Sequence, residues 1–234
     1  REDFFAAEAR PALSVGATYA EDPAKLSKEL DTMLAEAPPP EEPAAAAPRP
    51  QAAPPGIVVP HIDYGRGAAG YGQAYRELAE REPPEAVVIL GTGHRPMTNR
   101  VAICDKAFAV PGGAVQNACD VTQAILDACR PAADFAVDAL AHLPEHSIEL
   151  QAVWLRHIWG ERVRIVPVLV GAMEEFLKAD ADPSAAADDP QLCALAQALT
   201  DLRTQGRALM LLASADLAHV GPYFQDERDV DEPY

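Results

Sequence analysis

Residues 87–94, VVILGTGH, carry the clearest sign of the fold, because a short run of branched aliphatic residues leads through two glycines to a histidine. An unbroken apolar run of this length, followed by glycine, is typical of a strand that is buried on both faces of a parallel sheet. The carboxyl end of such a strand is where open α/β sheets bind their ligands. The segment therefore predicts an α/β fold and makes His94 a candidate functional residue.

The alternation of short apolar runs with helical segments continues on both sides of this strand, from Gly56 onward. It predicts an α/β protein with a central, largely parallel or mixed sheet flanked by helices. The predicted strands are 57–59, 86–90, 101–104, 164–170 and 208–213, and the predicted helices are 67–81, 115–129, 147–159, 190–204 and a shorter one at 174–179.

The N-terminal part of the chain adds a helix and a connector. Asp22 and Pro23 precede leucines at positions 26, 30 and 34, which predicts a capped helix over 22–37. Residues 38–55, PPPEEPAAAAPRPQAAPP, cannot form a packed face. We expect them to be an exposed connector within a single domain over 1–234, with a proline-rich ligand for a partner protein as the alternative.

The charge balance restricts the partners. The chain has 234 residues, with 19 Lys and Arg against 36 Asp and Glu, so its net charge is −17. Nucleic acids and anionic membranes repel such a surface, so we expect a small-molecule or peptide ligand.

The apolar runs at 165–170 and 208–213 are far shorter than the roughly 20 residues that span a bilayer. The four cysteines form no CxxC pair; we expect small buried side chains in a cytoplasmic protein.

Three histidines follow predicted strands: His61 after GIVVP, His94 after VVILGTG and His219 after LMLLASADLA. Side chains delivered to the carboxyl ends of parallel strands can converge on one point. Neutral imidazoles are good ligands for iron, zinc and copper, and a site with open coordination positions is catalytic rather than structural. We therefore expect a metal or catalytic site that uses at least two of these three histidines.

Other polar residues accompany these histidines. Glu145 and His146, in PEHSIE, open a predicted helix, where active-site groups are often presented. Asp216 precedes His219 by three residues and Asp63 follows His61 by two; either acid could ligate the metal or orient a ligand. The alternatives are a helix N-cap for Asp216 and a turn former for Asp63. The remaining histidines, at 142 and 157, have no such placement and are expected to be surface or core residues.

Two rival sites are disfavoured. The glycines of GRGAAG, residues 65–70, match the dinucleotide pattern, but HIDY separates them from the strand and no acid follows at the required distance. They fit a close approach of backbone and helix around His61 better. A nucleophilic Ser147 or Ser214 lacks the GxSxG elbow.

Read in order, these segments resemble the Memo family, also called AmmeMemoRadiSam system protein B. The resemblance extends from 10 to 224 through six motifs: RPALSVGATYAEDPAKL, VVPHIDYGRGAAGYGQAY, VVILGTGH, PEHSIELQAVWL, IVPVLVGA and LLASADLAHVG. It implies a fold like that of the class III extradiol dioxygenases, in which histidines and a carboxylate hold non-haem Fe(II).

The resemblance also implies roles for individual residues. The metal ligands would be His61, His94 and His219, and the catalytic residues Glu145, His146 and Asp216, with His146 as the general acid or base and Glu145 orienting it. The expected metal is Fe(II), with Cu or Zn as alternatives, and the expected activity is redox chemistry of the dioxygenase type. The alternative is a non-enzymatic module that binds a peptide or metabolite in the same pocket.

The chain departs from the family pattern in three places. GTGHRP, which contains His94, stands where relatives commonly have GPSHH or GPSH. PHIDYGRG puts Asp63 where relatives have glycine, which changes the local charge. The sequence ends at Tyr234, before the region in which relatives carry a cysteine close to the site. We therefore expect either a partial chain or a short member that lacks this cysteine.

Overall fold

The computed structural model describes residues 2–38, 52–171, 173, 176 and 182–216. The strands of this part of the chain are β1 (Ala9–Arg10), β2 (Gly56–Val59), β3 (Ala86–Thr92), β4 (Val101–Ile103), β5 (Ala107–Val110), β6 (Gly113–Asn117), β7 (Arg164–Val170) and β8 (Leu209–Ser214). The α-helices are α1 (Glu2–Ala6), α2 (Pro23–Glu36), α3 (Tyr64–Ala79), α4 (Cys119–Cys129), α5 (Ser147–Trp159) and α6 (Pro190–Thr204). Short 3₁₀ turns lie at Ala139–His142, Gly160–Arg162 and Pro183–Asp188.

All eight strands join one mixed sheet in the order β1-β5-β6-β7-β3-β8-β2, with β4 beside β7. The neighbours β2 and β8, β8 and β3, β3 and β7, and β7 and β6 are parallel, as are β1 and β5. The pairs β5 with β6 and β4 with β7 are antiparallel. The expected α/β class, a largely parallel or mixed sheet flanked by helices, is confirmed, and it is consistent with the extradiol dioxygenase-like arrangement.

Helices cover the two faces of the sheet with separate apolar cores. On one face α2, α3 and α5 pack over residues such as Val87, Ile89 and Leu212, with Trp154 at the centre. On the other face α4 and α6 pack over Val88 and over further strand residues. The central strands are buried on both faces, which is why their sequences are continuous apolar runs.

The predicted elements agree with most of the structure. Helix α2 begins at Pro23, with the Asp22 carboxylate accepting a hydrogen bond from the Lys25 N–H, and ends at Glu36. The five predicted strands all form, and the helices at 147–159 and 190–204 have the predicted bounds. The helix predicted from 67 begins three residues earlier, at Tyr64, because Asp63 caps it.

The prediction of a helix over 115–129 was wrong in its first part. Residues 113–117 form β6, and the helix begins only at Cys119. The reason is the two-residue turn Pro111–Gly112, which joins β5 to β6 in a hairpin; the φ angles of Gly112 and of the next residue, Gly113, are 82° and 154° and favour glycine. Residues 39–51 of the expected connector, and all of the predicted helix at 174–179 except 176, lie outside the described residues.

The cysteine prediction was half right. All four thiols are free, and Cys104 and Cys129 are buried as expected. Cys119 and Cys193 are exposed, since each lies in the first turns of its helix on the side away from the core. Among the described helices none combines the length and the apolar character needed to cross a bilayer.

Candidate metal centre

Three neighbouring parallel strands deliver polar residues to one edge of the sheet. In the order β2, β8, β3 these strands end at Val59, Ser214 and Thr92. His61, Asp216 and His94 each follow the last residue of their strand by two positions. Parallel strands in register place equivalent positions side by side, so the three side chains reach the same point. The expectation that His61 and His94 meet at the sheet edge is met.

Helix α5 brings a third imidazole to this edge, and a glycine in β3 allows it. A Cβ atom on Gly91 would lie 2.6 Å from both Ser147 Oγ and Ile148 Cγ1, so the first turn of α5 rests directly on the strand. Ser147 Oγ donates a hydrogen bond to the Thr92 carbonyl at 3.0 Å. Residue 146, just before the helix, is thereby held beside His94, with 5.0 Å between the two ring centroids.

The three imidazoles form a compact cluster. The His61 ring lies 5.2 Å from that of His94 and 5.6 Å from that of His146, centroid to centroid. One ring nitrogen of each histidine lies within 4.8 Å of one ring nitrogen of both others. The His61 side chain is 2% exposed, whereas those of His94 and His146 are each 44% exposed. The cluster is therefore buried on the side of His61 and accessible to a ligand on the side of His94 and His146.

Carbonyl and carboxylate oxygens lie beside the Nδ1 atoms of the three rings. His61 Nδ1 lies 2.9 Å from the Ser214 carbonyl oxygen, which can only accept, so this nitrogen is the donor. His94 Nδ1 donates in the same way to the Glu145 carboxylate at 3.0 Å. His146 Nδ1 lies 3.3 Å from Glu145 Oε1. The Nδ1 atoms of His61 and His94 thus donate hydrogen bonds, which leaves their Nε2 lone pairs to bind a metal, whereas His146 Nδ1 lies near the carboxylate without such a bond.

Glu145 holds this part of the site together. Its carboxylate accepts backbone N–H bonds from His94 at 3.0 Å, His146 at 2.8 Å and Ser147 at 2.9 Å, and it is 4% exposed. Burial by itself raises the pKa of Glu145, but these backbone bonds and the His94 ring outweigh it and hold the net pKa below its ordinary value. Glu145 is therefore an ionised group that orients the His94 imidazole and lies beside that of His146.

Asp216 lies against the buried histidine. Its Oδ1 accepts a hydrogen bond from the His61 backbone N–H at 3.0 Å, and its Oδ2 lies 3.6 Å from His61 Nε2. Burial lowers the pKa of the His61 imidazole, against the opposing effects of the Asp216 carboxylate and the Ser214 carbonyl. The neutral imidazole, which is the form that ligates metals, is therefore favoured near neutral pH.

A buried network of hydrogen bonds lies beside the His61 segment, and the sequence analysis did not predict it. Gln151 Nε2 donates to the Pro60 carbonyl and to Ser214 Oγ, both at 2.8 Å, and its Oε1 accepts from Tyr75 OH at 2.7 Å. Ser214 Oγ donates to the Ser147 carbonyl at 2.7 Å. A glutamine on the apolar face of the helix over 147–159 was the available signal. The network ties α5, β8 and the β2 loop to one another.

The other candidate residues have separate positions. His219 lies outside the described residues. Asp63 caps α3, accepting from the Arg66 N–H at 3.0 Å, so it has a local backbone role as a helix N-cap and not as the expected turn former. His142 is buried in the core, and His157 pairs with Asp31 at 3.0 Å.

The structure supports neither the dinucleotide site nor the nucleophilic serine. The glycines of GRGAAG lie within α3 instead of a loop before it. The Ser147 and Ser214 hydroxyls donate to backbone carbonyls and not to an imidazole.

A family model for Memo-like proteins matches residues 10–233. The chain belongs to the Memo family. Among its relatives, a MEMO1 family protein of Methanopyrus kandleri is 32% identical over 176 residues, which is 74% of this chain and 56% of the relative. A MEMO1 family protein of Thermus thermophilus is 32% identical over 170 residues, 73% of this chain and 45% of the relative.

A third relative, a MEMO1 family protein of Sulfolobus acidocaldarius, is 29% identical over 216 residues, 89% of this chain and 69% of the relative. For the first two relatives, the matched region is about half of the relative's length.

Proposed function

We propose that this Memo protein binds one metal ion through His61, His94 and His146, with Fe(II) as the expected metal. The observation that supports the proposal is the set of three clustered imidazoles, two of which, His61 and His94, have a hydrogen-bond acceptor at Nδ1. In these two rings that bond fixes the tautomer needed for ligation, an arrangement common around protein metal sites.

The residues fit such an ion. Nitrogens that share a metal at about 2.0–2.1 Å lie about 3–3.5 Å apart, so the cluster, with its nitrogens within 4.8 Å, needs only small side-chain shifts. Imidazoles bind iron, copper and zinc alike, and a carboxylate beside two or three histidines favours non-haem Fe(II). Asp216 is the carboxylate next to His61; it is assigned the acid–base role below and is not counted as a ligand. His219 remains a predicted further ligand.

The open side of the cluster is the proposed binding place for a small-molecule or peptide ligand. Fe(II) held there would supply redox chemistry, the exchange of electrons between a bound substrate and O₂. Glu145 would keep the His94 and His146 rings in place. Asp216, 3.6 Å from His61 Nε2, would accept or return a proton of the bound ligand. In this assignment His146 is a ligand, and Asp216 takes over the acid–base role.

Metal titration of the purified chain tests the proposal. Anaerobic Fe(II) titration followed by elemental analysis should give one ion per chain, and His61→Ala, His94→Ala and His146→Ala should each lose most of the binding. The matched control is His157→Ala. His157 lies near the C-terminal end of α5, whereas His146 immediately precedes the first residue of this helix, so the control variant should bind the metal like the parent chain.

Two results would separate the alternatives. Equal binding by the parent chain and the three cluster variants would contradict the metal centre. Stoichiometric binding without O₂ consumption on catechol-type substrates would retain the metal centre and favour the non-enzymatic ligand-binding module over the oxidoreductase.

A further inference from the structure

We propose that Arg10 is a positioning residue of the metal centre, acting across the fold through Glu149 and the backbone around Glu145. The inference rests on the metal-binding function proposed above and adds a group that belongs to the N-terminal strand β1, far along the chain from every ligand. Arg10 has no exposed surface, and Glu149 has none either.

Every N–H group of the Arg10 guanidinium donates a hydrogen bond, and three of the acceptors are the backbone carbonyls of residues 142, 143 and 145, just before α5. A guanidinium has five N–H groups. Nε donates to the His142 carbonyl at 3.0 Å, Nη1 to the Pro11 carbonyl at 2.8 Å and to the Glu149 carboxylate, and Nη2 to the carbonyls of Leu143, at 3.1 Å, and Glu145. Five acceptors therefore match the five donors.

Glu149 is equally well fixed. Its carboxylate accepts the Leu13 N–H at 3.1 Å, the Ser14 N–H at 2.7 Å and the Tyr19 hydroxyl, in addition to Arg10. Burial raises the pKa of Glu149 by itself, but Arg10 and these hydrogen bonds outweigh it, so the net pKa is lowered and the group is ionised. The N-terminal segment over 10–19 and the first turn of α5 are thus bonded into one unit.

This unit reaches the histidines through Glu145. The backbone carbonyl of Glu145 is held by Arg10, and its carboxylate holds His94 and His146. Glu145 lies between two fixed points, Leu143 on one side and Glu149 on the other. The carboxylate is held by the backbone N–H groups of residues 94, 146 and 147, and Arg10 holds the backbone from which this side chain starts, so the Arg10 bonds help to set the position of the imidazoles beside it.

Lysine in place of Arg10 provides the test, because it keeps the positive charge beside Glu149 but has only three donors from one nitrogen. The probes are Zn(II), titrated into the full chain against a chromophoric chelator, and Co(II), whose visible spectrum reports ligand geometry. We expect Arg10→Lys to weaken Zn(II) binding about 10- to 100-fold, as is typical when a group that orients metal ligands is lost, and to change the Co(II) spectrum.

The control separates positioning from stability. Ile125→Ala empties a fully buried position in the core on the opposite face of the sheet, so it should lower stability and leave the metal affinity and the Co(II) spectrum unchanged. Arg10→Met is expected to fold poorly, so Arg10→Lys is the variant that tests the proposal.

If Arg10→Lys is destabilised like Ile125→Ala but binds Zn(II) with parent affinity and an unchanged Co(II) spectrum, Arg10 is structural alone and the inference is overturned. Absence of binding by the parent chain would instead overturn the metal-binding function itself.

Discussion

Replacing Glu149 by glutamine is the most demanding stability test of this structure. The change removes one charge of a buried ion pair and leaves the Arg10 guanidinium without its counter-ion, since neither side chain has any exposed surface. Breaking such a pair costs about 3–5 kcal/mol, because a buried charge remains uncompensated. For a chain of this size each kcal/mol shifts Tm by about 2–4 °C, so the expected loss is about 6–20 °C.

The matched control is Glu82→Gln, which removes the same charge from an Arg–Glu pair at the surface. In that pair Arg162 and Glu82 are 58% and 56% exposed, and exposed pairs contribute about 0–1 kcal/mol. Urea unfolding followed by circular dichroism, together with thermal scans, measures both variants. Equal losses for the two substitutions, both below about 1 kcal/mol, would refute the reasoning that burial makes the Arg10–Glu149 pair sensitive.

The pH dependence of stability follows from the same carboxylate. The pKa of Glu149 is lowered in the folded chain, so its contribution is complete above the unfolded pKa of about 4.3 and is lost as the pH falls through the folded value. The parent chain should therefore lose stability below about pH 4.3 more steeply than Glu149→Gln, which has no such carboxyl group to protonate. Parallel acid titrations of the two chains, followed by circular dichroism, would contradict this assignment if their slopes agreed.

Three further predictions concern the site and the thiols. Gly91→Ala should lower stability by about 1–3 kcal/mol and weaken metal binding in thermal and titration assays, because its Cβ would lie 2.6 Å from Ser147 Oγ and push α5 off β3. A metal at 100 times its Kd should stabilise the chain by about 2.7 kcal/mol, a rise of about 5–11 °C in Tm that a chelator reverses. A thiol reagent should modify two cysteines quickly in the native chain, the exposed Cys119 and Cys193, and four after unfolding; four fast thiols would contradict the burial pattern.

The sequence was sufficient for five of the eight strands and for two of the three imidazoles. His61 and His94 could be predicted because each follows an apolar run, and the carboxyl ends of parallel strands meet at one edge. His146 was recognised as a residue that opens a helix, but its contact with the other two depends on how α5 sits on β3. That placement requires the missing Cβ of Gly91, which no periodicity reveals.

Long-range polar contacts were the other part that pattern reasoning could not reach. Arg10 and Glu149 are separated by 139 positions, and nothing in the local sequence of either residue indicates the other. The hairpin of β5 and β6 was missed for a different reason, since the residues after 115 have a helical spacing of apolar side chains. The Gly112–Gly113 pair was the signal that a turn precedes them.

The arrangement of layers decides which perturbations reach the metal centre. The three clustered imidazoles are held by the ends of β2 and β3 and by the start of α5, and α5 belongs to the face of the sheet that also carries α2 and α3. The N-terminal segment joins that same face through Arg10 and Glu149. The core of α4 and α6 lies on the opposite face, with no ligand or orienting group from its helices among the described residues. Substitutions in that core should therefore change stability without changing metal affinity, whereas substitutions in the β1–Glu149–Glu145 chain of contacts should change both.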